Sequence, residues 1–341
     1  MTPITSGRQG ITARFALEDA VFKKIATTGC ALALATLTAC GAGDGGSKAS
    51  ADGKIVMGFA QVGAESGWRT ANTKSVVEAA GTAGVELKFS DAQQKQENQI
   101  KAIRSYIQQK VDVIAFSPVV ETGWDAVLLE AKRARIPVIL TDRAIDSTDT
   151  SLYKTFLGSD FTEEGRKAGK WLAETVNGPV DVAEIQGTTG AAPAIDRQKG
   201  FKEAIARKSD IRIVATQSGD FTRAGGKQVM EALLRSHPDI DVVYAHNDDM
   251  GLGAIEAIKA AGKKPGTDIK IITVDAVEAG MVALANGEIN YIVECNPLLG
   301  DQLMDLAKKV VKGESVPERV VTEETTFTTE QAKKVLKDRK Y

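Results

Sequence analysis

From Lys54 onward, short apolar runs alternate with longer amphipathic stretches. Ile55 to Ala60, Val85 to Phe89, Val111 to Phe116 and Pro137 to Leu140 read as strands. A second set follows at Asp181 to Ile185, Ile211 to Ala215, Val242 to Ala245, Ile269 to Val274 and Ile289 to Val293. Helix-length segments separate them. Gln99 to Gln109, for example, places Ile100, Ile103, Arg104 and Ile107 three and four residues apart, a stripe with polar residues around it. Strands of nearly continuous apolar character are buried on both faces, so the pattern predicts an α/β fold of parallel sheets with helices on each side. At roughly 150 residues per domain, the two sets predict two doubly wound lobes, with a cleft between them as the natural site.

Upstream of Lys54 the pattern changes. Ile25 to Thr38 is uncharged, is built largely of Ala, Leu and Thr, and directly follows Lys23-Lys24. That is an n-region followed by an apolar h-region. Its fourteen residues fall short of the roughly 20 needed to span a bilayer, so residues 1–39 read as a signal peptide. The run closes on Leu37-Thr38-Ala39-Cys40-Gly41, which resembles a lipobox, the site where bacterial prolipoproteins are diacylated on cysteine and cut just before it. Cys40 is therefore the expected lipidation site and the expected link to a membrane. Gly41 to Gly46 satisfies G-x-G-x-x-G, but it neither follows a strand nor opens a helix, as a dinucleotide fingerprint must. Residues 40–53, rich in Gly and Ser, read instead as a flexible tether.

Charge and rare residues narrow the function classes. With 43 Lys+Arg against 45 Asp+Glu there is no general basic field and no local basic patch, so nucleic acid is not an expected partner. The leader's Arg8, Arg14, Lys23 and Lys24 against Glu18 and Asp19 give it +2, so the chain's −2 leaves −4 on the remainder. Of the three cysteines, Cys30 and Cys40 fall in the targeting segment, leaving Cys295 without a disulfide partner. Two histidines, no G-x-S-x-G, no H-E-x-x-H and no tenable phosphate loop leave no activated nucleophile or base to name, so neither an enzyme nor a cofactor is expected. His246-Asn247-Asp248-Asp249 invites a metal. Neighbouring strand residues point to opposite faces, however, and no second His or Cys is near, so no metal is expected either.

In open parallel sheets ligands bind beyond the carboxyl ends of the strands, so the residues that follow each strand carry the information. After the first come Gln61 to Arg69, after the third Ser117-Pro118, and after the fourth Asp142-Arg143. The second set supplies Gln186-Gly187-Thr188, Gly219-Asp220-Phe221, Asn247-Asp248-Asp249 and Asp275. Carboxylates, amides, guanidiniums and aromatic faces thus converge from both lobes. A sugar asks for this set: its hydroxyls donate to Asp and Asn and accept from Arg and Asn, while its C–H face packs on an aromatic ring.

The segments Gln61 to Arg69, Leu140 to Arg143, Ile195 to Phe201, Gln217 to Arg223 and Tyr244 to Met250 resemble the type 1 periplasmic sugar-binding proteins of ABC importers. Among these, the galactofuranose-binding members are most similar, including Glu65-Ser66-Gly67-Trp68-Arg69 and the run Gln93 to Ala102. The resemblance covers the chain from Lys54 to its end. It implies a monosaccharide ligand, galactofuranose first, held by Glu65, Ser66, Gly67, Trp68, Arg69, Asp142, Arg143, Arg197, Asp220, Phe221, Asn247 and Asp275. It also implies an ABC permease and its ATPase as partners, an extracytoplasmic monomer, and three chain crossings near Gly158, Cys295 and Val321 that act as a hinge. The lobes would then comprise residues 54–157 with 296–321, and 158–295 with 322–341. One departure is Asp275-Ala276, where the family usually has Asp-Gly.

Alternatives from other classes remain in view. Another aldose, such as galactopyranose, ribose or arabinose, asks for nearly the same side chains, and a receptor serving chemotaxis has the same fold. Paired carboxylates in a cleft would also suit a glycosidase, which turnover of furanosides would reveal. A repressor reusing this fold carries an N-terminal helix-turn-helix, where this chain has its signal and lipobox.

Overall fold

The computed structural model describes residues 53–341; the signal peptide, Cys40 and the tether before Gly53 lie outside the described residues. The chain first runs β1 (Val56–Gln61), α1 (Gly67–Ala83), β2 (Glu86–Asp91), α2 (Gln96–Gln109), β3 (Val113–Phe116), α3 (Asp125–Arg133), β4 (Val138–Thr141) and β5 (Thr155–Gly158). It continues through α4 (Phe161–Thr175), β6 (Val180–Gln186), α5 (Ala192–Ile205), β7 (Ile211–Ser218), α6 (Arg223–Ser236) and β8 (Val242–Ala245). Next come α7 (Asp248–Ala260), β9 (Lys270–Asp275), α8 (Glu278–Ala285) and β10 (Tyr291–Glu294). It closes with α9 (Gly300–Val311), β11 (Arg319–Val321), β12 (Thr326–Thr328) and α10 (Thr329–Val335).

Two six-stranded sheets result, ordered β2-β1-β3-β4-β5-β11 and β7-β6-β8-β9-β10-β12. The connectivity is the same in both, which is the repeat that the alternating pattern shows without any sequence repeat. Strands β3, β4 and β8 are buried along their whole length, as parallel strands between two helix layers must be. The chain passes between the sheets after β5, after β10 and again between β11 and β12. One oxygen ties these three crossings together: Oε1 of Glu324 accepts from Ser159 Oγ, from Asn296 N at 3.0 Å and from Thr322 Oγ1 at 2.9 Å.

Two details depart from the expectation. β12 pairs antiparallel with β10, so the second sheet is parallel except at that edge. The buried face of α2 is Gln99, Ile103 and Tyr106, with Ile100 and Ile107 only half-buried and Arg104 exposed beside Glu130. Gln99 tolerates full burial because its amide is satisfied. It donates to the carbonyls of Ala60 and Ser117 and accepts from Val119 N, fastening the ends of β1 and β3 where the cleft begins.

Candidate functional site

Ser66 opens α1 as its cap, its Oγ accepting from Arg69 N at 3.1 Å, and so brings Trp68 and Arg69 onto the first turn at the end of β1. Asn247 does the same for α7, accepting from Met250 N and donating to the carbonyl of Phe221. Several turns at these strand ends run through the left-handed region without glycine: Asp142 (φ 63°), Asp220 (54°), Phe221 (61°), Asp275 (125°) and Ala276 (68°). Such strain gathers where surrounding structure overrides it, and here it aims side chains into the cleft. Asp275-Ala276 therefore keeps a glycine-like path without the glycine. Gly187 is needed for a different reason: a Cβ there would lie 1.9 Å from the ring of Phe221, so only glycine admits that ring.

The cleft holds about 290 Å³ of atom-free space, part of it open to solvent. From the first lobe it is lined by Glu65, Ser66, Trp68, Arg69, Asp142 and Arg143. The second contributes Phe161, Pro193, Arg197, Phe221, Asn247 and Asp275, and the crossing after β10 contributes Cys295. Ten of the twelve residues expected from the sequence are in this set. The other two sit at the rim in contacts between the lobes. Gly67 N donates to Asp249 Oδ2 at 2.8 Å, and the carbonyl of Asp220 accepts from Gln94 Nε2 at 3.3 Å. Phe161, Pro193 and Cys295 were not expected. Phe161 begins a helix after an unforeseen strand, Pro193 is an ordinary helix-start proline, and an unpaired cysteine carries no signal for a hydroxyl-binding role.

The first-lobe charges form one network. Arg69 reaches Asp142 at 2.8 Å, Glu65 at 3.0 Å and the Gln61 amide oxygen at 3.1 Å. Arg143 stands 3.6 Å from Asp142 and 3.7 Å from Glu65, and donates to the carbonyl of Val119. Burial alone would raise the Asp142 carboxyl, but Arg69 and Arg143 outweigh it and hold the group below its usual range. Burial and the neighbouring Arg69 pull Arg143 down to about 10. In the second lobe Arg197 bonds Glu164 Oε2 at 2.7 Å and the carbonyl of His246, stands 3.9 Å from Asp275, and lies over the ring of Phe161. Glu164 reaches it because α4 and α5 pack backbone to backbone: a Cβ on Gly165 would meet the Arg197 carbonyl at 2.2 Å. Burial raises Asp275 well above the ordinary carboxylate range and pushes Glu164 up to about 8.

Glu65, Asp142 and Asp275 face Arg69, Arg143 and Arg197 around the cavity, with Glu65 and Asp142 matched against Arg69 and Arg143. A ligand rich in both donors and acceptors suits such a lining. Among the described residues, Glu65 Oε2, Arg143 Nε and Asp275 Oδ2 are buried at the cavity without a hydrogen-bond partner. Each such group costs about 1–3 kcal/mol, and more if charged, which a ligand's hydroxyls would recover. Trp68, Phe161 and Phe221 supply aromatic walls.

Glu164, Cys295 and Glu324 bring one potential metal-ligand atom each within 4.8 Å of the others. Glu164 already holds the Arg197 guanidinium, whose charge opposes a bound cation. His246 is not part of this cluster: it is buried against Glu184, 3.1 Å away, and burial lowers its pKa. Among the described residues no helix is long and apolar enough to cross a membrane.

Comparison with known proteins agrees with this architecture. Residues 57–315 match the family model described as periplasmic binding protein domain. The galactofuranose-binding protein YtfQ of Escherichia coli K12 is 48% identical over 84% of this chain and 92% of its own length. A crystal structure from Mycobacterium smegmatis in complex with β-D-fucofuranose is 67% identical, covers 84% of this chain and 95% of its own, and superposes with a TM-score of 0.83. The periplasmic binding protein component of the arabinose ABC transporter from Shewanella sp. ANA-3, bound to α- and β-L-arabinofuranose, is 49% identical. It covers 84% of this chain and 96% of its own, with a TM-score of 0.82. By family match, identity and shared architecture, the chain belongs to the type 1 periplasmic binding proteins.

Proposed function

We propose that the chain is the solute receptor of an ABC sugar importer, closing on one monosaccharide in its five-membered ring form and delivering it to a permease. The observation that carries the reading is the polar cavity with buried Glu65, Arg143 and Asp275 atoms unpartnered among the described residues, which a polyhydroxyl ligand satisfies. The three relatives above are named for furanose sugars or were solved with them, which favours a furanose over a pyranose. Galactofuranose is the first choice. β-D-Fucofuranose is the same skeleton without the 6-hydroxyl, so the two test whether that hydroxyl is recognised. Arabinofuranose is the second reading, supported by the Shewanella complex. The chain is a receptor rather than a catalyst in this reading, and it sits outside the cytoplasmic membrane, held by lipid on Cys40.

Calorimetry with galactose, fucose, arabinose and ribose, followed by crystallography of the bound ring form, tests the ligand. A pyranose in the cleft, or ribose alone bound, would refute the furanose assignment. Cys40→Ser, followed by membrane fractionation, tests the anchor: the variant is expected in the soluble fraction or unprocessed, with sugar binding intact.

A further inference from the structure

The first residues of helices α1 and α7 meet across the cleft, Gly67 of one against Asp249 of the other. Each end carries positive partial charge from its unpaired N–H groups, so bringing the two together is unfavourable by itself. The first turn of α1 contains no acidic residue to offset this. Its first N–H, that of Gly67, donates to Oδ2 of Asp249, the second residue of α7, at 2.8 Å. One carboxylate from the second lobe thus lies between two positive helix ends and bonds the one from the first lobe. Asp249 is not among the cavity-lining residues. Two neutral contacts also span the lobes, Gln94 Nε2 to the Asp220 carbonyl and Glu121 N to the Gly190 carbonyl at 2.9 Å. Asp249 adds a full charge to this ring.

We propose that Asp249 is the latch of the closed form: a residue that raises ligand affinity by stabilising closure, without touching the ligand. The proposal rests on the reading of the chain as a receptor that closes on its solute. The Gly67–Asp249 bond spans the lobes and is broken when they separate, so it contributes to the closed state alone and shifts the population toward it. Its loss therefore acts on dissociation rather than on encounter.

The test compares Asp249→Ala, Asp249→Asn and Gly67→Pro, with D-galactose and D-fucose as probes. Proline is suited to Gly67, which is the first residue of α1 and follows an extended Ser66 (φ −144°, ψ 164°). It removes the donated N–H and sets the ring Cδ where that hydrogen pointed at Oδ2, so it loses the bond and also pushes the carboxylate aside. Asp249→Ala is expected to weaken binding about five- to tenfold through faster dissociation, Gly67→Pro at least as much, and Asp249→Asn less than either. The double variant should be no worse than either alone, because both remove one bond. Unchanged dissociation in Asp249→Ala, or additive losses in the double variant, would overturn the proposal. Hydrogen exchange at the Gly67 amide, with and without saturating sugar, reads the bond directly. Protection that rises with sugar in the parent and is lost in Asp249→Ala supports it, and an amide left unprotected in the sugar-saturated parent refutes it. Should the parent bind neither sugar, the functional reading on which the latch rests is what fails, whereas binding with unchanged dissociation in Asp249→Ala sinks the latch alone.

Discussion

Asp142 and Arg69 meet as a buried ion pair, Oδ2 to Nη2 at 2.8 Å, although the guanidinium next to Asp142 in sequence, Arg143, stands 3.6 Å away. The pairing leaves Arg143 only partly engaged, with its Nε unpartnered at the cavity. Arg69 thus holds the acids in place, while Arg143 is free to meet a hydroxyl. Removing Arg69 leaves Arg143 as the cation facing buried Asp142 and Glu65, at 3.6 and 3.7 Å, with Ser117 Oγ still donating to Asp142. Arg69→Ala is expected to lose about 3–5 kcal/mol of stability as well as affinity, read from denaturant unfolding. Arg143→Ala should lose affinity with a much smaller change in unfolding midpoint. Equal unfolding midpoints for the two variants would contradict this division.

The carboxyls behind the second-lobe wall make stability pH-dependent. Burial pushes Asp248 up to about 7, although it accepts hydrogen bonds from Thr273 Oγ1 and Val277 N, and Asp275 beside it is raised by burial as well. These groups keep a proton in the folded chain and lose it near pH 4 in the unfolded one. The folded state therefore binds more protons, and stability falls as pH rises from about 4 to about 7. Asp142 has the opposite sign, but its lowered carboxyl contributes fully above about pH 4 and loses that contribution only as pH falls below it, outside this interval. The melting temperature without ligand should thus be higher at pH 5 than at pH 8, and Asp248→Asn should flatten the slope. A rising melting temperature over that interval would count against the protonated cluster.

Gly187→Ala tests whether the Phe221 ring is positioned by backbone contact. The added Cβ would overlap the ring at 1.9 Å, so the ring must leave the cavity wall. Binding is expected to weaken by at least tenfold, about 1.4 kcal/mol, while unfolding changes less, because the glycine lies at the end of β6 rather than within the core. Titration calorimetry on a variant of confirmed fold decides it.

Loss of the Glu324 carboxylate should loosen the connection between the lobes. Its Oε1 serves donors on all three crossings, so Glu324→Ala leaves Ser159, Asn296 and Thr322 without that acceptor at once. A stability loss of about 1–3 kcal/mol is expected. Glu324→Gln, which keeps an acceptor oxygen, should recover part of it. Thermal unfolding of the two variants separates a lost acceptor from a lost charge.

The strand pattern made the two lobes and their cleft legible because parallel strands buried on both faces carry long apolar runs. Three strands escaped it for physical reasons. β5, Thr155-Phe156-Leu157-Gly158, has just two large apolar residues between a polar one and a glycine, and the edge strands β11 and β12 are three-residue pieces, Arg319–Val321 and Thr326–Thr328, only partly buried and with no period to read. At the site, residues directly after a strand could be found by position alone, as Asp142, Asn247 and Asp275 were. Glu164 could not. It lies inside a helix, and nothing local shows that a glycine contact between α4 and α5 brings it to Arg197. Gly67 lay in the right loop, but its contact is to Asp249, from the other lobe.

Arg197 carries the last prediction. Its guanidinium serves three acceptors in different directions: Glu164 Oε2 at 2.7 Å through Nε, the His246 carbonyl through Nη1, and Asp275 Oδ1 at 3.9 Å from Nη2. A planar fork can do this, whereas an ammonium group offers a single point of charge. Arg197→Lys therefore keeps a positive charge beside Glu164 and Asp275 but loses the geometry that presents a donor to the cavity. Hydrogen bonds to charged groups contribute about 1.5–3 kcal/mol, so binding should weaken by roughly tenfold to a hundredfold. Arg197→Ala should weaken it further and also lower the melting temperature, because Glu164 is then buried without its partner. Both variants are measured by calorimetry and thermal unfolding against the parent. Binding by Arg197→Lys at parental affinity would show that charge alone suffices, and that the fork has no part in holding the sugar.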